Sequence, residues 1–254
     1  MEIAHDILVK NGLVFAFLFV GLILWLSYRA SDLLSRGRIH GSAIAIIVGL
    51  VFAWAGGAAT GGSKGLSDVT LFSGLAIMGG AMLRDFAIVS TAFGVDLKEI
   101  KRAGISGVLA LIFGVVVSFV VGALVALAFG YTDPVSLTTI GGGAATYIVG
   151  PVTGTALGAS SEVVALSVAA GLVKSVLVMV GTPWVAPLIG LNNPKSAMVF
   201  GGLMGTTSGV AGGLAATDKR LVPYGAMTAT FYTGLGCLLG PSLIYLVIKT
   251  MFAI

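Results

Sequence analysis

Charged residues are what this sequence has least of. Asp, Glu, Lys and Arg together make up 9% of its 254 residues, whereas hydrophobic residues make up 57% and the mean hydropathy is +1.07. A typical soluble domain carries roughly 25% charged residues. Several apolar runs exceed the roughly 18 residues that indicate a membrane-spanning helix. The sequence therefore predicts an all-α polytopic integral membrane protein and excludes a separate soluble domain.

Side chains suited to enzymatic or metal chemistry are equally few. The chain has one cysteine, Cys237, and two histidines, His5 and His40. The sequence contains no spaced cluster that suggests a transition-metal site, no nucleophile–base set and no nucleotide-binding fingerprint. Its net charge of +4 comes from basic residues scattered through short loops, which argues against a nucleic-acid partner. We therefore expect no enzymatic activity and no cofactor.

The apolar runs predict about eight transmembrane spans. These lie at 11–30, 41–59, 69–94, 104–130, 135–158, 162–188, 196–216 and 222–252. We interpret residues 1–254 as a single transmembrane transporter domain. Its N-terminal half, 1–130, holds four spans, and its C-terminal half is 131–254.

Two glycine-rich segments interrupt the C-terminal half, at 135–158 and 196–216. They contain GGGAATYIVGPVTGTALG and GGLMGTTSGVAGGLAAT. Backbone N–H and C=O groups in a bilayer need partners, so irregular backbone persists there only where it is buried in protein or lines a cavity. Paired interrupted helices of this kind indicate a transporter's binding site. The alternative is that glycine permits close helix crossing and that Thr and Ser bond back to their own helices.

Freed backbone groups and hydroxyls in these broken helices supply the candidate ligands. N–H groups at the N-terminus of a half-helix suit a carboxylate, whereas carbonyls and hydroxyls suit Na⁺. The candidate substrate ligands are Thr139, Gly142, Gly143, Thr146, Lys174, Arg84, Thr206, Thr207 and Ser208. The candidate Na⁺ ligands are Thr138, Tyr147, Thr153, Gly205 and Asp85.

Three of these candidates are charged residues inside predicted spans. Lys174 lies near the middle of its span, in AAGLVKSVLVMV. A charge there costs about 2.5–3.5 kcal/mol on insertion scales, which makes it a functional candidate; the alternative is a side chain that reaches an interface. Arg84 and Asp85 lie midway along the third span. They either serve an anion or cation site or mark a break that leaves both near water.

The distribution of basic residues predicts an orientation. With eight spans, one side carries Arg29, Arg36, Arg38, Lys98, Lys101, Arg102, Lys219 and Arg220, and the other carries Lys10, Lys64, Lys195 and Lys249. Because cytoplasmic loops carry an excess of Lys and Arg, the first side is predicted to be cytoplasmic. Both termini are then predicted to lie outside the cytoplasm.

A faint internal repeat relates the two glycine-rich segments. A shift of 58 residues aligns Gly154 with Gly212, Ala159 with Thr217 and Pro183 with Pro241. In each copy a glycine-rich segment runs into a polar cluster and then a long apolar helix. One full span between the segments would make the copies parallel, and a further crossing at 181–195 would make them inverted.

The two glycine-rich regions also resemble a known family. The runs GGGAATYIVGPVTGTALGASSEVVALSVAAGLVKSVLVMVGTPWVAPLIG and FGGLMGTTSGVAGGLAATDKRLVPYGAMTATFYTGLG resemble the MadM subunit of bacterial malonate:sodium symporters, and the resemblance spans the whole chain. It implies a secondary active transporter of the bacterial inner membrane that imports malonate with Na⁺ as coupling ion. It also implies a small membrane partner, MadL, and allows an oligomer of such heterodimers.

Two other interpretations stay open. The order of segments is also similar to that of the larger subunit of LrgA/LrgB-type membrane pairs, a broader likeness that implies an assembly or regulatory subunit. A passive solute channel is the third interpretation. Neither of these alternatives involves Na⁺ coupling.

Overall fold

The computed structural model describes residues 2–36, 39–62, 65–79, 82–83 and 97–252. Within these ranges the regular structure is entirely helical, and no strand occurs. The predicted all-α class is therefore confirmed. The chain forms two compact units, 1–87 and 88–254. The predicted single transporter domain, divided near residue 130, stays a prediction.

Apolar helices make up the first unit. They are α1 (Glu2–Lys10), α2 (Gly12–Ser35), α3 (Gly41–Thr60) and α4 (Gly74–Ile77), with short 3₁₀ turns at Gly65–Asp68 and Thr70–Phe72. Phe19 of α2 packs against α3 and the second 3₁₀ turn, because its ring centre lies 5.8 Å from that of Phe52 and 4.8 Å from that of Phe72. Aromatic pairs at such distances stabilise helix packing beyond the area they bury.

The second unit contains both glycine-rich segments. Its helices are α5 (Leu97–Ala128), α6 (Pro134–Ala145), α7 (Val149–Leu157), α8 (Ser161–Val185), α9 (Pro194–Met204), α10 (Thr207–Ala215), α11 (Val222–Leu239) and α12 (Tyr245–Phe252). A 3₁₀ turn at Lys219–Leu221 precedes α11, and a π turn at Gly240–Ile244 follows it.

Five helical stretches among the described residues are long and apolar enough to cross a membrane. They are Gly12–Ser35, Gly41–Phe72, Gly104–Ala128, Ser161–Val185 and Lys219–Phe252. Their length and composition support a multi-pass membrane protein. The predicted count of eight spans is not confirmed.

The segment predicted as the fifth span folds back on itself as a hairpin of α6 and α7. An added Cβ on Gly142 would lie 3.3 Å from Thr153 Oγ1, and one on Gly154 would lie 2.8 Å from Thr139 Cγ2. The partners run in opposite directions along the two helices, so α6 and α7 are antiparallel. With 12 and 9 residues, they are at most about 18 Å long, against about 30 Å of hydrocarbon. Neither helix is long enough to cross alone.

The ends of this first hairpin lie beside the N-terminal end of α8. Leu137 and Val163 share one buried apolar cluster, and an added Cβ on Gly154 would lie 2.8 Å from Val164. At the bend, Gly171 packs against the backbone of Tyr147. The bend therefore reaches the middle of α8.

α9 and α10 form a second hairpin at the opposite end of α8. Ala197 and Leu214, which lie towards its open end, share a buried cluster with Ala186, just after the end of α8. Its bend lies beside the middle of α8, because Thr206 Oγ1 is 2.5 Å from Ser175 Oγ. The second glycine-rich segment therefore also turns back, and the two hairpins approach each other from opposite ends of the same helix.

Both hairpins begin with the same local signal. Asp133–Pro134 and Asn193–Pro194 each place a capping side chain before a proline at the first helical position. The Asp133 carboxylate accepts a hydrogen bond from the Ser136 amide at 2.8 Å, and the Asn193 side chain accepts one from the Ser196 amide at 3.0 Å. Such caps satisfy amides that a helix start leaves unpaired.

Candidate binding site at the hairpin bends

A threonine holds each hairpin bend. Thr146 leaves the helical conformation (φ −154°, ψ 156°), and its hydroxyl accepts hydrogen bonds from the amides of Ile148 at 3.2 Å and Val149 at 3.1 Å. Thr206 does the same for the second hairpin, where its hydroxyl accepts from the Gly209 amide at 3.4 Å. Both threonines therefore cap the helix that leaves the bend, rather than bonding back to the helix that enters it.

At the bends, two helix starts and two helix ends lie beside the middle of α8. α7 and α10 begin there, so their N-termini carry partial positive charge next to the middle of α8. α6 and α9 end there, and their C-termini carry partial negative charge. Such paired helix ends can bind an anionic group on one side and a cation on the other.

The Lys174 ammonium occupies the C-terminal end of α6. Its Nζ donates to the Ala145 carbonyl at 2.9 Å and to Ser118 Oγ at 3.0 Å, and it lies 5.3 Å from the ring centre of Tyr232. The alternative of a side chain that reaches the membrane interface is therefore wrong for this structure. These two bonds use two of the three donors of an ammonium.

Tyr232 connects the second bend to the rest of this unit. Its side chain is fully buried, and its hydroxyl donates to the Gly114 carbonyl on α5 at 3.1 Å. Its ring packs directly against Gly205, which has φ +72° and leaves no room for a Cβ. Because Gly205 precedes Thr206, the tyrosine ring supports the bend itself.

Neighbouring residues on α8 contact different bends. Lys174 binds the end of α6, whereas Ser175 lies 2.5 Å from Thr206 and donates to the Gly171 carbonyl at 2.9 Å. Residues one position apart on a helix point about 100° apart, so one turn of α8 can face both bends.

Several sequence-predicted site residues lie at these bends. Thr146, Tyr147, Lys174, Gly205 and Thr206 line them, and Thr207 and Ser208 are the half-buried first residues of α10. Gly143 lies just before the first bend and packs against Ser167. Arg84 and Asp85 lie outside the described residues.

The other predicted ligands lie deeper in the first hairpin. Gly142, Thr139 and Thr153 are buried between α6 and α7. Thr138 is also fully buried, but its hydroxyl donates to the Pro134 carbonyl at 2.6 Å. The interpretation that threonines bond back to their own helix therefore holds for Thr138.

A family model described as the malonate/sodium symporter MadM subunit matches residues 4–252. The chain belongs to the MadM family. The match covers both hairpins, and it confirms the resemblance seen in the sequence. No curated protein and no solved structure matches the chain.

The sequence analysis does not identify three polar residues of this candidate site, Ser118, Ser175 and Tyr232. A serine or tyrosine in an apolar run is common in helix packing, so composition alone does not single these out. The shift of 58 residues aligns Lys174 with Tyr232, but the two hairpins begin 60 residues apart, at Asp133 and Asn193, so that alignment does not identify Tyr232.

Proposed function

We propose that this MadM chain binds malonate, or a similarly short dicarboxylate, and Na⁺ between its two hairpin bends and moves them together into the cell. The supporting observation is the position of Lys174. A charged side chain in the middle of an apolar helix is costly and usually serves the solute pathway. Here the ammonium contacts the bend of the first hairpin, at the end of α6, and the tyrosine that supports the second bend.

A carboxylate of the substrate would bind the remaining donor of Lys174 and the N-terminal ends of α7 and α10. Charge-assisted hydrogen bonds of this kind are stronger than neutral ones. The surrounding ligands proposed for the substrate are Thr139, Gly142, Gly143, Thr146, Thr206, Thr207 and Ser208. Arg84 stays a sequence-based proposal for the second carboxylate.

Co-transported Na⁺ would offset the second charge of the dianion. A buried charge needs a partner, and one lysine supplies only one positive charge. The proposed Na⁺ ligands are Thr138, Tyr147, Thr153, Gly205 and Asp85, which offer hydroxyl, carbonyl or carboxylate oxygen. Symport follows if either ligand binds well only when the other is present.

The arrangement of the hairpins favours an inverted repeat over a parallel one. The two hairpins start at similar caps, Asp133 and Asn193, and enter from opposite ends of α8. An inverted repeat with a site at its centre suits alternating access, because exchanging the two conformations of the copies opens the site to the other side.

The hairpin topology also strengthens the predicted orientation of the second unit. The end of this unit at which α9 begins carries Lys195, Lys219 and Arg220. The start of α5, with Lys98 and Lys101, lies towards the same end, whereas Lys249 lies near the opposite end. We assign the basic end to the cytoplasm. Lys195 thereby changes sides relative to the eight-span topology. The C-terminus would then lie outside the cytoplasm, and the protein would reside in a bacterial inner membrane.

The test is uptake of radiolabelled malonate into proteoliposomes that contain this chain alone or with a small MadL-like subunit. We expect accumulation that an inward Na⁺ gradient drives, and we expect it to need the small subunit. Flux that ignores the Na⁺ gradient would indicate a channel. Absence of malonate flux from correctly inserted protein in both preparations would favour the assembly or regulatory interpretation.

A further inference from the structure

Two hydroxyls in the first hairpin have no hydrogen-bond partner. Thr139 Oγ1 and Thr153 Oγ1 are the buried side-chain oxygen atoms without a partner among the described residues, and both side chains are 0% exposed. A helical threonine can donate to the carbonyl one turn earlier, as Thr138 does to Pro134. A hydroxyl buried without a partner is destabilising, so such groups usually indicate an absent ligand or a water.

Both threonines lie in the seam where α6 packs against α7. The methyl group of Thr139, on α6, packs against Gly154, and the hydroxyl of Thr153, on α7, lies next to Gly142. Neither glycine has a side chain that could bond to a hydroxyl. Each arm of the hairpin therefore contributes one buried hydroxyl without a partner.

The environment of Thr153 involves a third element. An added Cβ on Gly240 would lie 2.5 Å from Thr153 Oγ1 and 3.0 Å from the Phe119 ring. Gly240 begins the π turn that interrupts the helical stretch after α11. Single π turns inside helices occur often at functional sites, because they shift backbone carbonyls out of the regular ladder.

The chemistry of the seam favours a monovalent cation. Residues 134–157 contain no Asp, Glu, Lys, Arg or His, so the side-chain ligands in this hairpin are neutral oxygen. Divalent cations are usually held by carboxylates, and an anion would need positive charge.

We propose that Thr139 and Thr153 are ligands of a Na⁺ site in the seam of the first hairpin. This inference rests on the proposed function, since it identifies where the coupling ion binds. It moves Thr139 from the substrate ligands to the Na⁺ ligands and keeps Thr153 among them. Thr138 is left out of this site, because its hydroxyl has a partner in the Pro134 carbonyl and so gives no sign of an absent ligand.

This position would explain how Na⁺ affects the substrate. An ion bound by both arms fixes α7 against α6 and therefore fixes the bend between them. The bend presents the start of α7 beside Lys174, where the carboxylate is proposed to bind. Binding of Na⁺ would thus organise the substrate site without touching the substrate.

Thermal unfolding of the purified full-length chain tests the site without transport. A ligand that binds only the folded state raises Tm, so Na⁺ should raise the wild-type Tm relative to K⁺ at equal ionic strength. Thr139→Val and Thr153→Val should lose this shift. In K⁺ their Tm should equal or exceed that of the wild type, because each removes an unpaired hydroxyl.

Matched variants separate ligand loss from damage to the hairpin. Thr139→Ser and Thr153→Ser retain the oxygen and should retain the shift, and Thr138→Val should retain it as well. If both valine variants keep the full Na⁺-dependent shift, the seam holds water or nothing and the proposal is overturned. A wild-type Tm that does not distinguish Na⁺ from K⁺ would also overturn it.

Uptake assays distinguish failure of this site from failure of the proposed function. With malonate saturating, the valine variants should need about tenfold more Na⁺ for half-maximal uptake, the effect of losing about 1.4 kcal/mol of ion binding. Na⁺-driven uptake with an unchanged Na⁺ requirement would overturn the site and leave the symporter standing. A Na⁺-dependent Tm shift that the variants lose, without any malonate uptake, would leave the site standing and overturn the symporter.

Discussion

The Lys174 ammonium lies 5.3 Å from the ring centre of Tyr232. Lys174 also binds the last carbonyl of α6, and Tyr232 packs against the glycine that ends α9. A cation over an aromatic face is attracted by the ring quadrupole, more strongly where water is excluded. This single contact therefore connects the two hairpins at the point where they meet.

Replacement of Lys174 by Met should raise the malonate KM so far that concentrative uptake is lost at malonate concentrations that saturate the wild type, while the protein still inserts. The variant keeps the length and apolar stem of the side chain but removes the charge. Loss of one charge-assisted hydrogen bond is worth about 1.5–3 kcal/mol, or roughly 10–150-fold in malonate affinity. The measurement is the malonate KM in proteoliposomes at saturating Na⁺.

Lys195→Met is the matched control, because Lys195 lies near the start of α9, away from the bends. It should transport malonate nearly as well as the wild type. Lys174→Arg keeps the charge but changes its shape, so we expect partial activity. If Lys174→Met keeps a wild-type KM, the lysine does not bind substrate.

Tyr232→Phe and Tyr232→Leu should separate the two roles of the tyrosine. The phenylalanine variant loses the hydrogen bond to the Gly114 carbonyl, which should cost about 1–3 kcal/mol of stability, but it keeps the ring beneath Lys174. The leucine variant loses the ring as well. We therefore expect a lower Tm in both variants and a raised malonate KM mainly in Tyr232→Leu. Equal KM values in the two variants would show that the ring contact has no role in binding.

Two glycines with the same backbone angle offer a direct test of the second bend. Gly205 and Gly158 both have φ +72°, but Gly205 lies against the Tyr232 ring whereas an added Cβ on Gly158 would meet open space. Alanine at either position should cost about 1–2 kcal/mol for the left-handed backbone. Gly205→Ala should cost a further 1–3 kcal/mol or so for overpacking.

Denaturant unfolding or thermal melting in detergent measures this difference. Gly205→Ala should also impair uptake, because the tyrosine ring must move away from the bend, whereas Gly158→Ala should not. Equal destabilisation by the two variants would mean that the packing between Gly205 and Tyr232 is looser than the structure indicates.

How far the sequence predicts this structure depends on whether a feature is local. The start of α6 follows from Asp133–Pro134 alone, since capping and proline chemistry act within one turn. Lys174 is identifiable because a charge in an apolar run is costly wherever the helix packs. The course of segment 135–158 is different. A hairpin and a crossing helix have the same length and hydropathy, and contacts between the two arms, such as Gly142 with Thr153, distinguish them.

The candidate site shows the same division. The bends were predictable as interruptions, because glycine and threonine disfavour a continuous helix. The contacts between bends were not predictable, because they join residues far apart in the chain, such as Lys174 with Ser118. Thr139 and Thr138 are neighbours in the sequence, yet only one of them finds a carbonyl partner. Composition carries no information about that choice.

Cysteine accessibility in intact cells tests the hairpin topology. In a Cys237→Ser background, the reporters are Thr132→Cys and Ala159→Cys, which flank the first hairpin, and Asn192→Cys and Lys219→Cys, which flank the second. If both segments turn back, each pair reports a single side of the membrane. A membrane-impermeant thiol reagent added outside should label the first pair, and the second pair should react only after the membrane is permeabilised.

The comparison within each pair decides between hairpin and crossing, independently of the overall orientation. A segment that crosses the membrane would give one labelled and one protected site in the same pair. Reversed labelling of both pairs would keep the hairpins and overturn only the assignment of the basic end to the cytoplasm. Both hairpins must turn back if Lys174 is to lie between their bends, so a split result in either pair would overturn the proposed binding site together with the topology.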